Sequence, residues 1–86
     1  MPLGDTQALR AWGERDNPPY RLWRRVEVWV LGLDHIPWQA PSVPLTDNAG
    51  EPWEIRYAEL ADTGGVKVFY EHEHHTGLVN LLHVGL

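Results

Sequence analysis

Three strand-like segments separated by two glycine-containing turns make up the last two-fifths of this 86-residue chain. The segments are residues 53–60, 66–71 and 78–84. They are rich in the β-branched and aromatic residues that favour strands. The turns read D-T-G-G at 62–65 and T-G at 76–77, both typical of hairpin connections. The pattern therefore predicts three consecutive antiparallel strands, a β-meander.

The turns also predict the register of these strands, which assigns side chains to two sides of the sheet. The first turn places Arg56 opposite Glu71 and Tyr57 opposite Tyr70, and the second places Tyr70 opposite His83. One side is expected to face the helices and carries Trp53, Ile55, Tyr57, Val66, Val68, Tyr70, Val79 and Leu81. The second side carries Glu54, Arg56, Lys67, Phe69, Glu71, Asn80, Leu82 and Val84.

A short helix is predicted over residues 5–16, before the meander. Asp5 is a suitable N-cap, and apolar residues follow it on neighbouring turns. The helix should end near Asp16, because the next residue, Asn17, precedes a proline and the residue before a proline disfavours helical geometry.

Residues 22–33 fit two periods. The apolar residues at 22, 26, 29 and 33 are spaced by four, three and four, as on one face of a helix. The valines at 26, 28 and 30 alternate with other residues, which fits a strand over 24–31. We predict the helix because the helical spacing extends over more residues than the alternation does.

Residues 34–52 contain four prolines and the turn-forming run D-N-A-G, which predicts an extended connector. Within it, Trp38 is expected to pin the connector to the core, the alternative being that it lies on a partner-binding surface. The chain is thus predicted to be one α+β domain: a helical part over 5–33, the connector, and the meander over 53–86. One or two N-terminal helices would pack on a sheet of three strands, or of four.

The chain has no cysteine, which excludes disulfides and thiolate metal sites. No apolar run is long enough to span a membrane, and the first residues lack the basic and apolar regions of a signal peptide. We therefore expect a cytoplasmic protein that does not bind membranes.

Charge is unevenly distributed along the chain. Up to Arg25 the balance is +2, and from Val26 onward it is −7, which together give the net charge of −5. Such an acidic chain is poorly suited to non-specific nucleic-acid binding, which depends on Lys and Arg contacts to phosphate. The five tryptophans are more than a core of this size needs, so we expect a contact surface and a homo-oligomer.

Three short motifs on the predicted strands resemble the RelE/ParE-type toxins of toxin–antitoxin pairs. They are W-E-I-R at 53–56, V-K-V-F-Y at 66–70 and L-L-H-V at 81–84. Members of that family commonly read W-E-L-R-V, Y-R-V-F-Y and L-L-H in this order, after helices. The resemblance implies a small α+β domain, neutralised by an antitoxin, whose ribosome-acting members cut messenger RNA with basic and aromatic side chains on an exposed sheet face.

Carried onto this chain, the resemblance implies that Arg56, Lys67 and His83 are catalytic. Arg56 matches the arginine of the first motif, and a guanidinium suits the phosphate of a cleavage transition state. Lys67 stands where an arginine is usual, and His83 matches the histidine of the last motif. Whether the protein is an enzyme is left open at this point.

A non-catalytic function is the alternative, in which the second side of the sheet binds a protein or a second copy of the chain. Phe69, Leu82 and Val84 form an apolar strip there and are the predicted contacts. This interpretation fits the acidity of the chain.

The histidines near the second turn are candidate metal ligands. His72 and His74 point to the same side of a strand, and the predicted register adds His83. Three imidazoles suit zinc, but a solvated histidine run beside a turn is the favoured alternative, and no cofactor is predicted. A three-residue hairpin loop would turn His83 away.

Overall fold

A computed structural model of the protein describes residues 3–40, 42–46, 52–73 and 76–86. Its elements are α1 (Gln7–Asp16), α2 (Tyr20–Gly32), β1 (Ser42–Thr46), β2 (Pro52–Glu59), β3 (Lys67–His72) and β4 (Val79–Gly85). The strands form an antiparallel sheet in the order β1-β2-β3-β4, and the two helices pack on it. The predicted α+β class is confirmed.

The first helix lies close to its predicted bounds. It begins at Gln7 with Thr6, not the predicted Asp5, as N-cap; the Asp5 carboxylate still accepts the Gln7 N–H (2.8 Å), which satisfies one of the free donors of the first turn. It ends at Asp16, where Asn17 adopts a left-handed conformation (φ 44°) and donates its N–H to the Gly13 carbonyl (3.0 Å). An αL residue of this kind is a common helix stop.

Residues 24–31 lie within α2, so the helical interpretation is confirmed and the strand alternative is wrong. Val26 and Val30, one turn apart, are fully buried, whereas Val28 is exposed. That is the pattern of a helix with one buried face. Within the described ranges, neither helix has the length and apolarity needed to cross a bilayer.

The predicted connector, residues 34–52, contains β1, which makes the sheet four-stranded. β1 lies at the edge of the sheet, where the missing N–H of its one proline, Pro44, is tolerated. The side chains of Trp53 and Glu54, which the sequence assigns to opposite sides of the sheet, lie outside the described part of the structure.

The core lies between the helices and one side of the sheet. Stacked indole rings of Trp12 and Trp23 (centroids 6.0 Å apart) join the two helices. The buried apolar side chains are Leu9, Trp12, Val26, Val30, Leu33, Ala40, Leu60, Val66, Val68, Tyr70, Val79, Leu81 and Val84.

The predicted register of β2 against β3 is wrong by one residue. Arg56 lies opposite Tyr70, not Glu71, and Tyr57 lies opposite Phe69. A shift of one residue exchanges the two sides of a strand. Arg56 is therefore on the helix side, and Tyr57 is on the side away from the helices.

The turn between β2 and β3 explains the shift. Leu60 donates its N–H to the Val66 carbonyl (2.8 Å), so Leu60 rather than Ala61 lies opposite Val66. The buried Thr63 hydroxyl donates to the Leu60 carbonyl (2.7 Å) and accepts the Val66 N–H (3.1 Å). The turn is thus one residue longer than the sequence suggested.

A β-bulge in β4 makes the register of β3 against β4 differ from the predicted one. Phe69 lies opposite His83 and Tyr70 lies opposite Leu81, so Leu82 has no partner in the ladder. The prediction that Tyr70 lies opposite His83 is wrong. An extra residue of this kind interrupts the alternation of side chains along a strand.

The bulge changes which β4 side chains are exposed. Leu82 is exposed, as predicted, and His83 is exposed beside it instead of facing the helices. Val84, predicted on the exposed side, is buried with 1% of its surface accessible.

The chain's N-terminal segment runs parallel to β4 along the sheet edge. Leu3 forms a bridge with Val79, and Gly4 donates its N–H to the Val79 carbonyl (2.8 Å). Leu81 donates its N–H to the Asp5 carbonyl (2.8 Å). These bonds cover backbone groups that an edge strand would otherwise expose.

Candidate binding face of the sheet

The side of the sheet away from the helices carries side chains that are exposed or half-buried. We call this surface the outer face. It consists of Ile55, Tyr57 and Glu59 of β2, Lys67, Phe69 and Glu71 of β3, and Asn80, Leu82 and His83 of β4. An accessible sheet surface with this much apolar area is a candidate contact site.

Three aromatic rings form a row across the outer face. Tyr57 and Phe69 are cross-strand neighbours with ring centroids 4.7 Å apart, tilted by 39°. Phe69 and His83 are the next pair, 5.9 Å apart in an edge-to-face arrangement. We call these residues the aromatic row. Each contact lies in the range where ring pairs attract, so the row is a preorganised surface.

Charges of opposite sign flank Phe69 along β3. Lys67 precedes it by two residues and Glu71 follows it by two, so all three side chains share the outer face. The Glu71 carboxylate accepts a hydrogen bond from the Asn80 side-chain amide (3.2 Å). The Asn80 amide oxygen in turn accepts the Asp5 N–H (2.8 Å), which ties this end of the outer face to the N-terminal segment.

The structure brings together two of the three predicted catalytic residues. Lys67 and His83 lie on the outer face, whereas Arg56 lies on the helix side. The Arg56 guanidinium donates to the carbonyls of Ala40 (2.6 Å) and Trp38 (3.3 Å). Arg56 therefore anchors the segment after α2 and does not face a substrate on the outer face.

The predicted partner-binding residues divide in the same way. Phe69 is the centre of the aromatic row, and Leu82 is 47% exposed beside it. Val84 is buried in the core. The Trp38 side chain is 62% exposed, so it does not pin the connector to the core, and the backbone carbonyl of Trp38 makes the anchoring contact instead.

The structure does not bring His72 and His83 together. His72 pairs with Val79 on the helix side, and His83 is on the outer face. The third predicted ligand, His74, lies outside the described residues. Within the part of the chain that the structure describes, no group of three or more candidate ligands is arranged to hold a metal ion.

A groove of about 770 Å³ lies on the other side of the molecule, between α2 and the end of β2. Arg21, Arg24 and Arg25 line it. Arg24 is paired with Glu27, and Arg25 bonds Asp62 (3.2 Å) and the adjacent Ala61 carbonyl (3.0 Å). Most of the groove's positive charge is thus compensated locally, and the outer face is the stronger candidate site.

Sequence reasoning missed Tyr57, which it placed in the core. The signal for the bulge was present, because the adjacent residues Leu81 and Leu82 interrupt the alternation expected of a half-buried strand. No comparable signal marks the extra residue in the turn between β2 and β3.

Comparisons with known proteins give no relative: no family model, no curated protein and no solved structure matches this chain. The resemblance to RelE/ParE-type toxins stays a prediction based on the three strand motifs.

Proposed function

We propose that this protein is a non-catalytic interaction domain that binds a protein partner through the outer face. The observation that carries the proposal is the aromatic row, Tyr57, Phe69 and His83, with exposed Leu82 beside it. Rings held in place by their neighbours lose little conformational entropy on binding, and aromatic side chains dominate contact energies.

The position of Arg56 favours binding over catalysis. Its guanidinium bonds two backbone carbonyls on the helix side, which removes it from the outer face. The outer face carries one cation, Lys67, and two carboxylates, Glu59 and Glu71, and the chain as a whole is acidic. Such a surface is better suited to a protein of mixed charge than to a polyanion.

The test is to purify the protein from its own cells and to determine the stoichiometry of its complex by native mass spectrometry. Leu82→Lys introduces a charge at an exposed position of the outer face and should dissociate the complex. Tyr20→Lys, at an exposed position of α2, is the matched control and should leave it intact. A complex that survives Leu82→Lys, or that both variants weaken equally, would contradict the proposal.

A second candidate function is a RelE-like, RNA-binding toxin. One observation favours it: Lys67 lies on the same face as the aromatic row, and bases of single-stranded RNA stack on such rings. Induced expression should then arrest growth, with Lys67→Ala relieving the arrest. This candidate function would be contradicted if induction did not slow growth and if purified protein left ribosome-bound messenger RNA intact.

A further inference from the structure

The charges along β3 on the outer face are self-complementary about Phe69. Lys67 and Glu71 lie two residues either side of Phe69, about 6.6 Å away in each direction along the strand. A two-fold axis that lies between two facing sheets, next to Phe69 and perpendicular to β3, reverses the strand direction. It therefore places Lys67 of one copy against Glu71 of the other, twice per dimer.

We infer that the partner bound by the outer face is a second copy of this chain, packed sheet against sheet about this axis. The inference rests on the proposed function and names its partner. The aromatic row crosses the strands and so runs along the axis, where each ring packs against the other copy's row. Aligned sheet packing of this kind brings the inner side chains of two sheets into one apolar layer.

The local contacts leave both charges available for this pairing. Lys67 lies opposite Glu59 in the register but forms no ion pair within the described residues. The Glu59 carboxylate is turned toward the β2–β3 turn, since its Oε1 is 3.6 Å from the position that a Cβ on Gly65 would take. Asn80 holds one oxygen of Glu71, which fixes the carboxylate in place.

Leu82 adds apolar area at the end of the row. The bulge leaves this side chain exposed, while Leu81 before it and Val84 after His83 stay in the core. A leucine exposed at 47% beside His83 is buried by the second copy in this arrangement. Burial of Leu82 and of the aromatic row, and the two ion pairs, then both stabilise the dimer at the same interface.

Charge reversal tests both the partner and the symmetry. Sedimentation velocity of the wild-type protein over a range of micromolar concentrations should give twice the mass of the chain. Lys67→Glu places like charges together twice per dimer, and so does Glu71→Lys. Each should raise the dissociation constant by at least about tenfold.

A mixture of the two single variants should form a heterodimer. In it the two reversed charges, at position 67 of one copy and position 71 of the other, face each other, and the two native charges form the second pair. The double variant K67E/E71K should dimerise again. Arg10→Glu, a reversal at an exposed position of α1, is the control and should remain dimeric. Circular dichroism establishes that every variant is folded.

A monomeric wild-type protein would overturn the inference, and so would single variants that dimerise normally or a mixture that stays monomeric. These results are distinguishable from failure of the proposed function. A monomer that still binds a different protein, and loses it with Leu82→Lys, would refute the symmetric dimer and leave the interaction domain in place.

Discussion

Arg56 and Tyr70 lie directly opposite each other on β2 and β3, and both bind the backbone of the segment that follows α2. Arg56 donates to the Ala40 carbonyl, and the Tyr70 hydroxyl donates to the Pro37 carbonyl (2.8 Å) and accepts the Ala40 N–H (3.2 Å). This cross-strand pair ties the segment to the helix side of the sheet and satisfies backbone polar groups that lie outside regular secondary structure.

Arg56→Ala should therefore lower stability. It removes charge-assisted hydrogen bonds to the carbonyls of Ala40 and Trp38, with an expected loss of about 1.5–3 kcal/mol in the free energy of unfolding. Urea denaturation measures the loss. Arg10→Ala is the control, because Arg10 is exposed and makes no hydrogen bond or ion pair within the described residues; it should change stability by less than about 0.5 kcal/mol. Equal stability of the two variants would contradict the anchoring role.

Tyr70→Phe should also destabilise the protein, by about 1–3 kcal/mol, because the Pro37 carbonyl and the Ala40 N–H lose a buried partner. Tyr57→Phe is the matched control. The Tyr57 hydroxyl makes no hydrogen bond within the described residues, so its loss should be nearly neutral.

A double-mutant cycle joins these two predictions. Arg56 and Tyr70 hold the same segment, so the losses of the single variants should not add, and we expect a coupling of about 0.5–3 kcal/mol in urea denaturation. Strict additivity would show that the two side chains stabilise the segment independently.

The same pair shows how far the sequence predicts this molecule. The period of 3.6 identified α2, and runs of β-branched and aromatic residues between glycine turns identified β2, β3 and β4, because these signals are local, whereas β1 lay in the predicted connector. The side chains of β2 were assigned to the wrong sides because the register depends on a single residue in the turn held by Thr63. The same error affected the candidate site, because Arg56 was assigned to the outer face and Tyr57 to the helix side, whereas the structure has them the other way round.

Two glycine substitutions in helices should have opposite effects. A Cβ on Gly13 would stand 2.7 Å from Cζ3 of Trp23, whose ring is stacked on Trp12, so the Trp23 ring would have to shift out of this stack. Gly13→Ala should cost about 1–3 kcal/mol through this overlap, more than the helix propensity of alanine offsets.

At Gly32 the nearest atom to an added Cβ is the Gln39 side-chain nitrogen, 3.7 Å away, which is an ordinary contact. Gly32→Ala should therefore be neutral or raise stability by up to about 1 kcal/mol, because alanine restricts the unfolded chain. Thermal unfolding of both variants gives the sign of each effect. A destabilising Gly32→Ala, or a neutral Gly13→Ala, would contradict the packing described for the two helices.

Removing one residue from β4 should be tolerated if it is the bulged one. Without Leu82 the ladder becomes continuous: Leu81 stays opposite Tyr70 and His83 stays opposite Phe69, so no core side chain changes sides. We expect the deletion variant to fold, with a free energy of unfolding within about 1 kcal/mol of wild type.

The control is deletion of Val84, a core residue of the same strand. It places Gly85 opposite Val68, removes the buried Val84 side chain from the core, and should cost more than about 2 kcal/mol. Urea denaturation of the two variants decides the matter, because equal losses would mean that Leu82 is as necessary to the strand as a core residue.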